Sequence, residues 1–176
     1  EYGITVFYLL SSIYRRLNNE TDLDSYDLSS VRHCGYGMPM EMSLRERVID
    51  TFDADLQLGM GQTEAGMIMF LDPKWQLEKE GNYIGRSGPY ADAAIMDDDG
   101  TLLPQGDVGE IVFRSPAIMD RYVNAEEQTK ELWRDGWHRT GDLGKFDEDG
   151  ILLFVDRKKD MIKTGGENVS TTKVQN

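Results

Sequence analysis

Near the start of the chain Val6, Phe7, Leu9, Leu10, Ile13 and Leu17 recur at helical spacing, with Arg15 and Arg16 toward the end where cations suit a helix dipole. That spacing predicts a helix. Asn18 to Ser30 is polar, carries Asp22, Asp24 and Asp27, and reads as a loop. Val31-Arg32-His33-Cys34 predicts a short strand running into the bend Gly35-Tyr36-Gly37-Met38-Pro39. Glu41 to Phe52 is an amphipathic helix pattern using Leu44, Val48, Ile49 and Phe52. Asp55 to Leu58 returns to strand, and a break is expected at Gly59-Met60-Gly61. Strand, helix, strand with glycines at a strand end is the arithmetic of an α/β layer.

After Gly85 the texture changes to short strands and tight turns. Ala91 to Met96 and Thr101-Leu102-Leu103 flank Asp97-Asp98-Asp99-Gly100, a hairpin signal because Asp-Gly accepts positive φ. Glu110 to Arg114 is a further strand, and Asn124 with Glu127 predicts a capping box ahead of a helix through Leu132 and Trp133. Leu143 to Phe146 and Ile151 to Val155 form a second hairpin around Asp147-Glu148-Asp149-Gly150. These turns suggest a small β-barrel or sheet. Arg157-Lys158-Lys159-Asp160 then interrupts the apolar pattern as a linker would. The expected organisation is an α/β portion over residues 1–84, a β-rich subdomain over 85–156, and a hinge with the start of another domain over 157–176.

Composition narrows the function classes. The 176 residues carry 19 Lys plus Arg against 32 Asp plus Glu, a net charge of −13 that disfavours nucleic acid and anionic membranes. A local basic patch could still hold a nucleotide. The single cysteine, Cys34, allows no internal disulfide and fits a reducing cytoplasm. No apolar run reaches the length of about 18 residues that a membrane-spanning helix needs. The opening Glu1-Tyr2-Gly3-Ile4 does not resemble a signal peptide, begins in mid-pattern and reads as the edge of a fragment. Oligomeric state has no signature here.

Chemistry concentrates in a few segments. The acidic turns fail as EF-hand loops, because counting back from Gly100 puts Ile95 in the first ligand position and counting back from Gly150 puts Lys145 there. Gly59-Met60-Gly61-Gln62-Thr63-Glu64 follows a strand, where α/β sheets bind ligands: glycines admit a ligand, a hydroxyl can bond phosphate and a carboxylate can hold magnesium. A tight loop with a helix-capping Thr would look the same. In Thr140-Gly141-Asp142 a carboxylate beside glycine could accept hydrogen bonds from a ribose diol, or merely satisfy backbone amides in a turn. His138 reads as packed or surface histidine rather than a base. Two histidines and one cysteine make zinc improbable, and no Gly-x-Ser-x-Gly elbow supports a serine triad. The stretch from Arg157 to Asn168 gathers cations suited to phosphate and the pair Gly165-Gly166, although a solvated basic linker would look alike.

In this order the motifs resemble the adenylate-forming superfamily, specifically its acyl-CoA synthetases, over residues 23–176. The resemblance rests on the run Asp24 to Arg32, on Gly35-Tyr36-Gly37-Met38-Pro39, Gly61-Gln62-Thr63-Glu64, Asp135-Gly136-Trp137, Thr140-Gly141-Asp142, and Asp156 to Lys163. It implies the large N-terminal domain of a ligase that joins ATP and a carboxylate into an acyl-adenylate, then passes the acyl group to coenzyme A. By resemblance Thr63 contacts the adenylate phosphate, Glu64 holds magnesium, Asp142 binds the ribose hydroxyls assisted by Arg157, and Phe154 packs near the nucleoside. Gly37, Met38 and Gly61 line the adenine and acyl pockets. Lys159 matches the hinge of the C-terminal domain, and Gly165-Gly166-Glu167-Asn168 the loop that its rotation brings to the site. Met60 stands where the family usually stacks an aromatic on adenine.

The Ser/Thr/Gly-rich phosphate loop with its lysine, and the catalytic lysine of the C-terminal domain, do not occur in these residues. The isolated chain is therefore expected to show no pyrophosphate exchange with ATP and any carboxylate; measurable exchange by the purified chain contradicts this. Gly165 to Ser170 resembles most the branch that acts on fatty acids, with aryl and other acids open. Two rival readings are an adenylating enzyme that loads a carrier-protein thiol, and a non-catalytic β-rich module whose acidic face binds a protein.

Overall fold

The computed structural model describes residues 2–20 and 22–158, together with the backbone of Ile162–Thr164 and Glu167–Val169. Lys159, Gly165 and Gly166, singled out above, lie outside the described residues. The architecture is mixed α/β, and the chain forms two compact units, one of residues 1–61 with 69–85 and the other of 62–68 with 86–176.

In the first unit β1 (Val6–Leu9), β2 (His33–Tyr36) and β3 (Asp55–Gln62) run parallel, joined by α1 (Ser11–Glu20) and α2 (Met42–Phe52). The order continues through β4 (Gly66–Leu71) and β5 (Tyr83–Ser87). Parallel neighbours need crossovers, and α1 and α2 provide them. The expected helix over Val6 to Leu17 is corrected: Val6–Leu9 is strand and the helix begins at Ser11. A short apolar run does not distinguish the two states by spacing. Pairing decides, since the Thr5 carbonyl accepts the Arg32 and His33 N–H groups at 2.8 and 3.1 Å and thereby starts the β1–β2 ladder.

One face of these strands packs on the helices. Leu44 and Val48 of α2 are fully buried with Cys34, Tyr36, Leu56 and Leu58. Phe7 meets Phe52 edge-on at 5.2 Å between ring centroids and Tyr14 at 6.1 Å. Arg45 is also buried, its guanidinium donating to the carbonyls of Met40, Gln76 and Lys79 at 2.9 to 3.0 Å. It pins the segment that follows the Gly35–Pro39 turn.

Gly85 holds φ at +95°, and a Cβ there would collide with the backbone of Phe70 and Leu71. Neither neighbour is a flexible side chain, so Gly85→Ala is expected to destabilise the chain by about 3 kcal/mol or more. A urea midpoint shifted by less than the equivalent of about 1 kcal/mol would show that the backbone yields there.

The second unit is antiparallel. β7 (Gly109–Arg114) lies between β6 (Asp92–Met96) and β9 (Trp137–Phe146), and β9 also pairs β10 (Leu152–Arg157) and the short β8 (Trp133–Arg134). The acidic turns are closed by their own first residues: Asp97 Oδ1 accepts the N–H groups of Asp99 and Thr101, and Asp147 Oδ1 those of Asp149 and Ile151, all at 2.8 to 3.0 Å. The expected capping box does not form. Helix α3 (Glu126–Leu132) is capped at Ala125 without a side-chain bond, and Asn124 takes φ 56°, which turns it out of the capping position. β11 (Ile162–Thr164) and β12 (Glu167–Val169) form a separate antiparallel pair.

Candidate nucleotide site

Strand β9 is irregular at one place. Glu110 pairs Leu143 and Val112 pairs Arg139, so Ile111 alone on β7 faces Thr140, Gly141 and Asp142 on β9. These extra residues bulge out of the ladder, the device by which sheets re-aim side chains at sites. Thr140 Oγ1 donates to the Ile111 carbonyl at 2.7 Å and accepts the Asp142 N–H at 3.0 Å. Gly141 sits at φ 72°, where a side chain is disfavoured, and its N–H donates to Glu110 Oε1 at 3.1 Å.

The bulge turns Asp142 inward, where it is buried. Its Oδ2 accepts from Gln62 Nε2 at 3.1 Å. Gln62 Nε2 also reaches the Thr140 carbonyl at 3.0 Å, so Gln62 grips both ends of the bulge. A second irregularity, in β10 between Phe154 and Asp156, shifts the register by one residue and sets Arg157 opposite Asp142 rather than opposite Gly141. Arg157 Nε then stands 3.1 Å from Asp142 Oδ1. That approach is off the hydrogen-bond axis, and Oδ1 is a buried oxygen without a hydrogen bond among the described residues. Burial pushes the Asp142 carboxyl above its ordinary range, a push that the Arg157 charge and the Gln62 bond only partly offset.

Behind the bulge Glu110, 4% exposed, gathers cations. Its Oε2 accepts from Arg139 Nη2 at 2.6 Å and Lys158 Nζ at 2.9 Å. Burial works against the ionised form, but these bonds and charges prevail and hold its carboxyl below the usual range. Lys158 is held further by Asp98 at 2.7 Å and by its own N–H on the Gly141 carbonyl at 2.8 Å.

The model of the AMP-binding enzyme family matches residues 1–123. The chain belongs to that family. Among curated relatives of this AMP-binding chain is the long-chain-fatty-acid–CoA ligase of Salmonella typhimurium, 32% identical over 176 residues that make up 99% of this chain and 31% of the relative. The feruloyl-CoA synthase of an Amycolatopsis species is 36% identical, over 98% of this chain and 35% of the relative. Among solved structures, the O-succinylbenzoate coenzyme A synthetase of Bacillus subtilis in complex with ATP and magnesium superposes with a TM-score of 0.86 at 28% identity, over 98% of this chain and 35% of that one. The chain thus spans about a third of the length of these relatives. The fold matches the N-terminal domain of adenylate-forming enzymes.

In this AMP-binding chain the remaining candidates fall as follows. The strand expected to stop at Gly59-Met60-Gly61 continues through it to Gln62, and Thr63 and Glu64 occupy a tight turn into β4, closed by Ala65 N–H on the Gln62 carbonyl at 3.1 Å. Thr63 caps no helix and is exposed. Glu64 accepts the Tyr122 hydroxyl at 2.7 Å, a bond that holds its carboxyl below the ordinary range. The Met119 N–H fixes the backbone by donating to the Glu64 carbonyl at 2.8 Å. Phe154 is half-buried in β10 opposite Gly144. His138, expected to be packed or at the surface, is packed: it is fully buried, stands edge-on to Trp133 at 6.0 Å, has neither ring nitrogen hydrogen-bonded among the described residues, and is pushed below its ordinary pKa by burial. Gly37, Met38, Met60 and Gly61 belong to the first unit, with Gly37 just after β2 and Met60 and Gly61 within β3.

Gln62, Glu110, Arg139 and Tyr122 were not singled out by sequence. Glu110 alone left a trace, a carboxylate at the head of the apolar run Ile111-Val112-Phe113. Gln62 lies inside a quoted motif without being marked; Arg139 meets Glu110 through the pairing of β7 with β9, Gln62 reaches Asp142 by its side chain, and Tyr122 reaches Glu64 from the segment between β7 and α3.

Proposed function

We propose that this chain carries the ribose-binding and magnesium-binding part of an acid–thiol ligase, an enzyme that converts ATP and a carboxylic acid into an acyl-adenylate and pyrophosphate and then transfers the acyl group to coenzyme A. The observation that carries the reading is Asp142: a buried carboxylate, aimed by a bulge, with one oxygen bonded to Gln62 and the other without a hydrogen bond. A carboxylate left in that state gains from two donors at fixed separation, which a ribose diol supplies. Arg157, whose side chain is 65% exposed, is the movable group over it, and its charge serves the neighbouring phosphate once displaced.

Glu64 fits a magnesium ion carried in on a nucleotide. Magnesium uses one or two carboxylates with substrate phosphates rather than an all-protein cage. Glu64 is such a carboxylate, kept ionised by Tyr122, and the described residues hold no cluster of three or more His, Cys, Asp or Glu that would suggest a cage. When bound, the ion would neutralise charge developing on the phosphate that accepts the acid. Thr63, exposed beside Glu64, has its hydroxyl available to that phosphate. Lys159 as hinge and Gly165-Gly166 as the loop beside the thiol remain part of the proposal on the strength of their motif.

Both fatty and aryl acids occur in the names of the relatives, so the acid is left as a carboxylic acid at this point. The test is calorimetric titration of the chain with AMP and with GMP, repeated on Asp142→Ala. AMP binding with GMP excluded, and its loss in the variant, supports the reading. A well-folded chain that binds neither nucleotide argues against it.

A further inference from the structure

The bulge that aims Asp142 is held from the residue that follows β10. Gly141 is gripped on both of its polar groups: its N–H donates to Glu110 Oε1 at 3.1 Å, and its carbonyl accepts the Lys158 N–H at 2.8 Å. The Lys158 side chain then folds back to the same carboxylate, Nζ donating to Glu110 Oε2 at 2.9 Å. Gly141, Glu110 and Lys158 thus form a closed circuit of hydrogen bonds that uses both carboxylate oxygens and joins β7, β9 and the end of β10. Asp142 is the next residue after Gly141 and takes its direction from that circuit.

Two features make the circuit stiff. Glu110 is 4% exposed, so water competes little for its oxygens. Lys158 Nζ has a second anchor in Asp98 at 2.7 Å, in the turn after β6, which stops the ammonium from swinging out to solvent. Burial opposes the Lys158 charge, but the bonds to Asp98 and Glu110 prevail and hold its pKa above the ordinary value. A side chain without that charge would leave Glu110 Oε2 to Arg139 and hold Gly141 from this side by the backbone bond alone.

We propose that Lys158 is a positioning residue of the nucleotide site, setting the direction of the Asp142 carboxylate by locking the Gly141 bulge from behind. The proposal rests on the reading of Asp142 as the acceptor of a ribose diol. Two hydroxyls at fixed separation demand a carboxylate held to a fraction of an ångström, and a support that loosens the backbone costs affinity without touching the ligand.

The test titrates wild type, Lys158→Met and Lys158→Arg with AMP and, separately, with adenosine, and measures a urea midpoint for each protein. Lys158→Met is expected to weaken both ligands by the same factor, at least about threefold. Lys158→Arg, which keeps the charge and can still reach Glu110, should recover most of that loss. Adenosine carries the diol and no phosphate, so equal losses place the effect on Asp142. A loss confined to AMP would make Lys158 a phosphate contact and overturn the proposal. Wild-type affinity in Lys158→Met with a lowered midpoint would make the residue structural only, and a Lys158→Arg as weak as Lys158→Met would remove the charge from the argument; either result overturns it as well. Lys158→Gln serves if Lys158→Met does not fold. Wild type itself separates the two readings. A folded wild type that binds neither ligand removes the ribose reading and Lys158 with it, whereas binding of both ligands that Lys158→Met leaves unchanged removes Lys158 alone.

Discussion

Replacing Asp142 by Ala is expected to weaken AMP binding by at least about tenfold while leaving the chain folded. Hydrogen bonds to a charged group each contribute about 1.5 to 3 kcal/mol, and losing one or two of them corresponds to a factor of this size. Asp142→Asn, which keeps an acceptor but loses the charge, should fall between. The pH dependence has a definite sign. Because burial raises the Asp142 pKa, the carboxylate form that the proposed diol contact requires is lost as pH falls through that raised value, earlier than for an ordinary aspartate. The same shift means that burying the ionised form opposes folding above the raised pKa, an opposition that vanishes as pH falls through it. Asp142→Asn should therefore have a urea midpoint near neutral pH no lower than wild type. A nucleotide affinity unchanged in Asp142→Ala would remove Asp142 from the site, and a midpoint that collapses in Asp142→Asn would make it a structural residue.

Glu110→Ala is expected to destabilise the chain by about 2 to 3 kcal/mol. Removing one partner of a buried ion pair typically costs about 3 to 5 kcal/mol, and the lower figure applies because Arg139 and Lys158 are 29% and 32% exposed and can turn toward water. The sign follows from the depressed carboxyl pKa. The stabilisation is fully present above the unfolded-state value and is lost as pH falls through the lower folded-state one. The gap between the urea midpoints of wild type and Glu110→Ala should thus be wide at neutral pH and close in acid. A gap that does not change with pH would mean that Glu110 acts through packing rather than charge. Since Glu110 also accepts the Gly141 N–H, the variant should lose some AMP affinity through a loosened bulge.

How far the site could be read in advance differs residue by residue. Asp142 was marked by its motif, yet the same Thr-Gly-Asp would have served as a plain turn. What the structure adds is the pairing around it, where Ile111 alone opposes the three residues and Gln62 bridges Thr140 and Asp142. Arg157 looked like the start of a linker because its neighbours are charged, whereas it ends β10 and is set against Asp142 by a register shift. The run Val6 to Leu9 misled because apolar residues in a short window fit a helix face and a buried strand equally well. Gly59 and Gly61 were expected to break the chain, but β3 runs through them, and Gly59 serves instead as the acceptor for Tyr8.

Sequence by itself determined the membership of the fold class and the alternation of strand and helix ahead of the hairpins, and it marked Thr63, Glu64, Asp142 and Arg157 as candidates in one ordered set. These follow from local periodicity, turn chemistry and motif order, all of which are properties of neighbours in the chain. Only the tertiary structure decided which oxygen of Asp142 lacks a hydrogen bond, why Glu110 is buried, and that Lys158 closes on both Glu110 and Gly141. Each depends on a register between strands distant in sequence. A shift of one residue turns every side chain to the other face of the sheet, so no local pattern specifies the contact.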